Sequence, residues 1–167
     1  MKFFLAVGVF ASHVVVLAQG LDLGATSYAP NFVANLASQC NETSGLVFSN
    51  DTIFSINDSG NQPNVQALSA VNGQLLAEWS LTNAVNKDWE ALALSPQQMF
   101  VGDIGNNMGN RSIYELYRFE RNQLSVMNTT ISVQKLVFKF ADQPAGAFPA
   151  NAHNYDAEAM FFWQDSL

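Results

Sequence analysis

Acidic and carboxamide side chains recur at fixed positions in this chain, beside short segments with the pattern of β-strands. An acid followed by two spacers, a small residue and Leu or Met begins at Glu42, Asp88 and Asp156. Asn57 and Asp103 lie fifteen residues after the first two of these acids. Ca²⁺ takes about six to eight oxygen ligands, which Asp, Glu and Asn side chains supply. The spacing therefore predicts calcium as a cofactor, held through Glu42, Asn57 and Asp103.

A structural use of the same residues stays open as the alternative. Acidic and Asn residues beside Gly at strand ends also form turns and cap loop hydrogen bonds. Nucleophilic catalysis has little support, because the chain lacks the Gly-x-Ser-x-Gly elbow of serine hydrolases. His153 is the only histidine after the N-terminal region, and no Cys/His cluster suits zinc. We therefore predict no catalytic residue.

The acids belong to an internal repeat whose copies are offset by 46 and 68 residues. Repeats of this kind indicate solenoids, propellers or arrays, because each unit buries its apolar face against the next copy. In the first unit, strand character is found at 46–49, 53–56, 65–69 and 74–81, with the hairpin signal Asn72-Gly73 between the last two. Four strands in about 40 residues match one propeller blade.

A second unit repeats this plan, and a third begins at Asp156. Its predicted strands are 90–94, 99–102, 113–119 and 131–140. The predicted fold is all-β, a β-propeller of four-stranded blades, present as an incomplete N-terminal fragment with two blades and the start of a third. A closed propeller needs about four to eight blades, so we expect the isolated chain to leave sheet faces uncovered. A β-sandwich is the alternative, because it also uses many short strands.

The predicted domain organisation has three parts. Residues 1–20 have the pattern of a secretory signal peptide, with Lys2 before an apolar run and small residues at its end. A membrane anchor is the alternative for this run. Residues 21–41 form a weakly patterned lead-in, and residues 42–167 form the partial propeller. We expect a secreted, extracellular protein.

The composition restricts the partners. Fourteen acidic residues against seven basic ones give a net charge of −7, which disfavours nucleic acid and anionic membrane surfaces. No segment after the N-terminal run has the apolar length of a membrane span. The expected partner is an extracellular protein, a small molecule or a matrix ligand. Cys40 is the only cysteine, so its thiol is buried, pairs between chains, or pairs beyond Leu167.

Five Asn-x-Ser/Thr sequons indicate N-glycosylation of an exported protein. They begin at Asn41, Asn50, Asn57, Asn110 and Asn128. The sequon at Asn57 competes with the calcium interpretation, because a glycan would place that side chain at the surface.

Two stretches carry a resemblance to known propellers. Glu42-Thr-Ser-Gly-Leu, followed by Thr52-Ile-Phe-Ser-Ile-Asn-Asp58, resembles the opening blade of the regucalcin, gluconolactonase and paraoxonase type. Asp88-Trp-Glu-Ala-Leu and Val101-Gly-Asp-Ile-Gly-Asn-Asn107 are similar to secreted NHL-like and phytase-like propellers. The resemblance implies a metal in a central channel, with Glu42, Asn57, Asp58, Glu90, Asp103, Asn106 and Asn107 at the matching positions.

The sequence is compatible with two functions. The first is a secreted, acidic, N-glycosylated β-propeller with a binding or extracellular-matrix role. The alternative is a calcium-dependent lactonase or esterase, which the resemblance implies but which lacks an assembled catalytic set. Further Asn/Asp strand ends with a channel histidine would favour the enzyme.

Overall fold

The fold is all-β. The computed structural model describes residues 31–167, so the predicted signal peptide at 1–20 and much of the predicted lead-in lie outside the described residues. The strands are β1 (Thr43–Ser49), β2 (Thr52–Asn57), β3 (Asn64–Ser69), β4 (Leu75–Thr82), β5 (Trp89–Leu94), β6 (Gln98–Asp103), β7 (Tyr114–Glu120), β8 (Thr130–Ser132) and β9 (Gln134–Phe138). A single 3₁₀ turn at Arg121–Gln123 is the only helical element in this part of the chain, and it is far too short to cross a membrane.

Two open sheets contain all nine strands. Sheet 1 has the order β1-β2-β3-β4-β8, and sheet 2 has the order β5-β6-β7-β9. Neighbouring strands are antiparallel except for β8, which runs parallel to β4. Strands β1 to β4 therefore form a meander in sheet 1. Strands β5 to β7 begin a second meander in sheet 2, which β9 extends after the chain has passed through β8 of sheet 1. Neither sheet closes into a ring or barrel.

The repeat is visible in the strand pairing of the first two copies. Thr43 pairs with Asn57 and is followed by a register shift before Gly45. Trp89 pairs with Asp103 and is followed by the same shift before Ala91. Because a register shift changes the direction of the neighbouring side chains, equivalent shifts orient equivalent residues in the same way. The third copy, from Asp156, forms no strand within residues 31–167.

The predicted strand 131–140 is wrong as a single element. The structure divides it into β8, at the edge of sheet 1, and β9, at the edge of sheet 2. The chain crosses between the sheets at Val133, which is buried in the core. Residues 134–137 on the far side are exposed. The alternation of residues continues across the crossing, so the sequence pattern does not indicate this change of sheet.

The main core lies between the sheets and is built from the inward faces of both. Its members include Phe54, Ile56, Val65, Trp79, Leu81, Trp89, Leu92, Met99, Val101, Tyr117, Phe119, Ile131 and Val133. Trp79 and Trp89 each donate their indole N–H to a backbone carbonyl, so these large side chains are buried without an unpaired donor. The core fixes sheet 1 against sheet 2.

Additional chain segments lie along the outer faces of both sheets. On sheet 1, Asn57 Nδ2 donates to the carbonyl of Gln39, and the Ala37 N–H donates to the carbonyl of Gly73. On sheet 2, the Phe162 ring stacks on Phe100, with ring centroids 6.3 Å apart. The faces that we expected to be uncovered are therefore partly covered by residues of this chain.

The crossing at Val133 depends on one side chain. Asn83 Nδ2 donates to the Val133 carbonyl at 2.8 Å, and Asn83 Oδ1 accepts from the Val133 N–H at 3.2 Å. Asn83 has a φ of 58°, a left-handed conformation that Asn tolerates. The Asn83 carboxamide therefore makes the two hydrogen bonds to Val133 that a paired strand residue would make, next to the β4–β8 pairing.

We expect Asn83→Gly to reduce the free energy of unfolding by about 1–3 kcal/mol, because it removes both hydrogen bonds and leaves the Val133 backbone unpaired. Glycine keeps the positive φ, so backbone strain does not contribute. Urea denaturation measures the change. Asn151→Gly, at another exposed Asn of positive φ, is the matched control and should lie near the parent protein. Equal stability of Asn83→Gly and the parent would refute this role.

Candidate functional site

Three carboxylates lie together between the end of β2 in sheet 1 and the start of β5 in sheet 2. Oxygen atoms of Asp58, Asp88 and Glu90 all lie within 4.8 Å of one another. Asp58 follows β2, Asp88 precedes β5, and Glu90 is the second residue of β5. We call these three residues the acidic cluster. Its members come from both sheets, so the packing of the sheets assembles it.

Asn86 connects the two loops that carry the acidic cluster. Its Nδ2 donates to the backbone carbonyls of Asn57 at 2.9 Å and Asp58 at 2.8 Å. Its Oδ1 accepts from the Trp89 N–H at 3.2 Å. The end of β2 is thereby held against the start of β5, which positions Asp58 opposite Asp88.

Gly105 lets the backbone pass directly against these carboxylates. A Cβ atom at this position would lie 2.5 Å from Asp88 Oδ2 and 2.9 Å from Glu90 Cγ. The Gly105 N–H donates to the Asp88 carbonyl at 3.1 Å. Any side chain here would displace the acidic cluster, so glycine is required by close approach.

Burial and neighbouring carboxylates raise the pKa values of Glu90, Asp88 and Glu158. Burial, then the nearby charge of Glu158, raises the pKa of Glu90 to about 9. Burial and the Asp58 carboxylate raise the pKa of Asp88. Burial, together with the charge of Asp156, raises the pKa of Glu158, whose side chain shares a hydrogen bond with Glu90. Ionising these groups together is therefore unfavourable without a cation.

Glu90 and Glu158 occupy the same position in the repeat, 68 residues apart. The structure brings them into hydrogen-bonding contact although the third copy forms no strand. Ser44 is the matching residue of the first copy, and its hydroxyl is buried without a hydrogen-bond partner among residues 31–167. The second and third copies therefore meet through equivalent side chains.

Asp103, a predicted calcium ligand, is paired with an arginine. Arg111 Nη1 lies 2.7 Å from Asp103 Oδ1, and the Asp103 side chain is fully buried. Arg111 also donates to the carbonyls of Gly105 at 2.7 Å and Asp103 at 2.9 Å. Burial raises the pKa of Asp103, although the Arg111 charge acts to lower it. Arg111 thus fixes the loop that lies against the acidic cluster.

The other two predicted ligands also make separate contacts. Glu42 is exposed, and its Oε2 accepts from Asn61 Nδ2 at 2.7 Å. Asn57 is buried, and its Nδ2 donates to the carbonyl of Gln39 at 2.7 Å and to Asn41 Oδ1 at 3.1 Å. The carboxylates that the structure groups are instead Asp58, Asp88 and Glu90.

Lys87 is next to Asp88 in sequence, but its ammonium group binds elsewhere. Lys87 Nζ lies 3.1 Å from Glu115 Oε1, and Lys135 Nζ lies 3.2 Å from Glu115 Oε2. Although burial acts to raise it, hydrogen bonds from Tyr117, Lys87 and Lys135 lower the pKa of Glu115 to about 2. No side chain of residues 31–167 forms an ion pair with the acidic cluster.

His153 is held by backbone groups and by aromatic rings. Its Nε2 lies 3.0 Å from the Asn106 carbonyl, and its Nδ1 accepts from the Tyr155 N–H at 3.2 Å. The acceptor role of Nδ1 assigns the proton to Nε2, which donates to Asn106. The Phe148 ring lies 5.5 Å away between centroids. Both ring nitrogens are therefore engaged within the loop.

The sequons differ in accessibility, which leads to a prediction. Asn57 is only 6% exposed, and a glycan on Nδ2 would replace one of the two N–H groups that donate to Gln39 and Asn41. Asn50 is exposed in a turn, and Asn110 is exposed in a loop. When the protein is expressed in a secretory host, we expect glycans on Asn50 and Asn110 and an unmodified Asn57. Peptide mass spectrometry after enzymatic deglycosylation in heavy-oxygen water measures each occupancy. A glycan on Asn57 in folded protein would contradict the observed packing.

The comparisons with known proteins give no family. The sequence matches no known protein-family profile and no curated protein. One similar solved structure is the computationally designed Ika4 protein, at 11% identity and a TM-score of 0.36, with 81% of this chain and 89% of that chain covered. Another is the computationally designed Ika8 protein, at 10% identity and a TM-score of 0.35, with 79% and 43% covered. Likenesses at this level carry no argument about fold or function.

Proposed function

We propose that this chain forms blades of an exported, acidic, N-glycosylated β-propeller with a binding role, and that the acidic cluster is its calcium site. The observation that supports calcium most strongly is the grouping of Asp58, Asp88 and Glu90 within 4.8 Å without a paired cation among residues 31–167. The resemblance to calcium-containing propellers points in the same direction.

The donor set suits calcium among the common protein metals. All three groups offer carboxylate oxygens, which are the ligands of hard cations such as Ca²⁺. Cys40 and His153 make other contacts, so the nitrogen and sulfur ligands of zinc are not gathered here. Glu158 is next to Glu90 and would be the fourth carboxylate. Backbone carbonyls and water would complete a shell of about six to eight oxygens.

The propeller part of the proposal rests on the repeat. Two meanders share the same register shift at equivalent residues. Glu90 meets its repeat equivalent Glu158, as side chains at the starts of successive blades would around one axis. This placement also gives calcium a role in holding successive units together.

A lactonase or esterase remains the alternative from a different class, and the site gives it little support. Such chemistry needs a base within hydrogen-bonding reach of the reacting group. His153 instead uses both ring nitrogens on Asn106 and Tyr155. A binding role, to an extracellular protein, small molecule or matrix ligand, therefore fits the described residues better.

Calorimetric titration with calcium chloride, after removal of metal with a chelator, tests the proposed function. We expect a saturable site whose affinity falls at least about tenfold in Glu90→Gln, equivalent to about 1.4 kcal/mol. Glu42→Gln is the matched control, because Glu42 bonds to Asn61 outside the acidic cluster. If Glu42→Gln loses calcium binding and Glu90→Gln keeps it, the site lies at Glu42 and not at the acidic cluster. No binding at all would refute the proposal.

A further inference from the structure

We propose a second binding site, for a small neutral saccharide, in a polar cavity at the far end of sheet 2. The cavity has a volume of about 510 Å³. Ser132 of β8 lines it, and its other polar lining residues are Gln98, Arg118, Glu120, Asn122, Gln123 and Gln134. Strands β6, β7 and β9 and the 3₁₀ turn supply these other residues. None of them belongs to the acidic cluster, so this proposal stands or fails separately from the calcium site.

Cross-strand hydrogen bonds position the lining side chains. Gln98 and Glu120 are paired residues on β6 and β7, and Gln98 Nε2 donates to Glu120 Oε1 at 2.7 Å. Arg118 and Gln134 are paired on β7 and β9, and Arg118 Nε donates to Gln134 Oε1 at 2.8 Å. Each pair lies on regular strands, which hold binding groups more rigidly than loops do.

These bonds leave hydrogen-bonding capacity of both kinds free. The terminal nitrogens of Arg118 and the Nε2 of Gln134 remain as donors, and Gln98 Oε1 remains as an acceptor. The Glu120 carboxylate also accepts the Gln123 backbone N–H, and its remaining lone pairs add further acceptor capacity. Asn122 is exposed and offers a donor and an acceptor. A hydroxyl group both donates and accepts, so adjacent donor and acceptor atoms match the hydroxyls of a sugar.

The charge balance and size of the cavity select among polar ligands. Arg118 and Glu120 compensate each other, so the site favours neither an anion nor a cation. The floor includes Phe119 and Val133, both 4% exposed, which gives an apolar base beneath the polar rim. A volume near 510 Å³ lies within the range of small-molecule sites, about 300–1,000 Å³. A mono- or disaccharide fits this combination.

Titration of the deglycosylated full chain with maltose and with N,N′-diacetylchitobiose tests the proposal, with NMR shifts of the side-chain amides as the readout. We expect saturable binding of at least one disaccharide. Asn122→Ala and Gln134→Ala should each weaken it roughly fivefold to tenfold, because each removes hydrogen bonds of about 1 kcal/mol. Both residues are exposed, so folding should be retained. Gln62→Ala, at an exposed Gln outside the cavity, should bind like the parent.

Three results would overturn the proposal. The first is no saturable binding of either disaccharide. The second is binding that both cavity variants leave unchanged. The third is binding of sodium sulfate, included as a control anion, in preference to the sugars, which would make the cavity an Arg118 anion site.

Discussion

We expect Arg111→Ala to reduce the free energy of unfolding by about 3–5 kcal/mol, the range for removing one partner of a buried ion pair. The Asp103 carboxylate is fully buried, and Arg111 Nη1 at 2.7 Å is its cationic partner. The variant also removes the hydrogen bonds to the Gly105 and Asp103 carbonyls. Chemical denaturation at pH 8 measures the loss.

A second substitution separates the charge from the hydrogen bonds. Arg111→Ala with Asp103→Asn removes both charges, so we expect the double variant to recover part of the lost stability. Arg111→Ala alone should lose less stability at pH 5 than at pH 8, because protonation of Asp103 at the lower pH removes the unpaired charge. A loss below about 1 kcal/mol, independent of pH, would show that the ion pair does not hold this loop.

The metal-free protein should become less stable as the pH rises from about 4.5 to about 9, because of Glu90. Burial and Glu158 raise the folded-state pKa of Glu90 to about 9, above its ordinary value of 4.5. Glu90 therefore stabilises the folded state fully below pH 4.5, and this contribution is lost as the pH rises through the folded pKa. The slope from one group is at most about 1.4 kcal/mol per pH unit.

Glu90→Gln should remove most of this slope, since glutamine stays neutral throughout. Denaturation curves from pH 5 to pH 9 in the presence of a chelator provide the measurement. Glu115→Gln is the control, and it should leave the slope between pH 5 and pH 9 unchanged. The pKa of Glu115 is lowered to about 2, so its contribution is lost only as the pH falls below about 4.5. A parent protein whose stability is constant over pH 5–9, or rises, would contradict the raised pKa of Glu90.

The sequence alone predicts the all-β class and the first two meanders, because their signals are local. Short strands separated by turn residues need no knowledge of partners, and Asn50 and Asp51 indeed both adopt positive φ in the first hairpin turn. The ungapped repeat also predicts the equivalent pairing of Thr43 with Asn57 and Trp89 with Asp103. These features follow from patterns within about 50 residues.

Other features depend on contacts that the sequence does not show. The alternation of Ile131 and Val133 continues smoothly into β9, so nothing local marks the change of sheet. The third copy keeps its apolar pattern, yet a strand requires a partner, and it finds none within the described residues. Strand pairing depends on residues that are distant in the sequence, so the repeat alone does not determine which strands pair.

The sequence singled out members of the acidic cluster one by one but did not place them together. Asp88 heads the second repeat copy, and Glu90 and Asp58 match positions implied by the propeller resemblance. The choice of Asn57 over Asp58 failed to find the cluster residue, because β2 ends at Asn57 and the chain then turns toward Asp88. The partner of Asp103, Arg111, lies on a loop whose path no sequence pattern specifies.

The stability of the protein with calcium and with a chelator tests the central claim most directly. With free calcium at a hundredfold excess over its dissociation constant, we expect a gain of about 2.7 kcal/mol in the free energy of unfolding. The triple variant Asp58→Asn, Asp88→Asn, Glu90→Gln should show no gain while being at least as stable as the metal-free parent. An equal gain in the triple variant, or no gain in the parent, would contradict calcium binding at the acidic cluster.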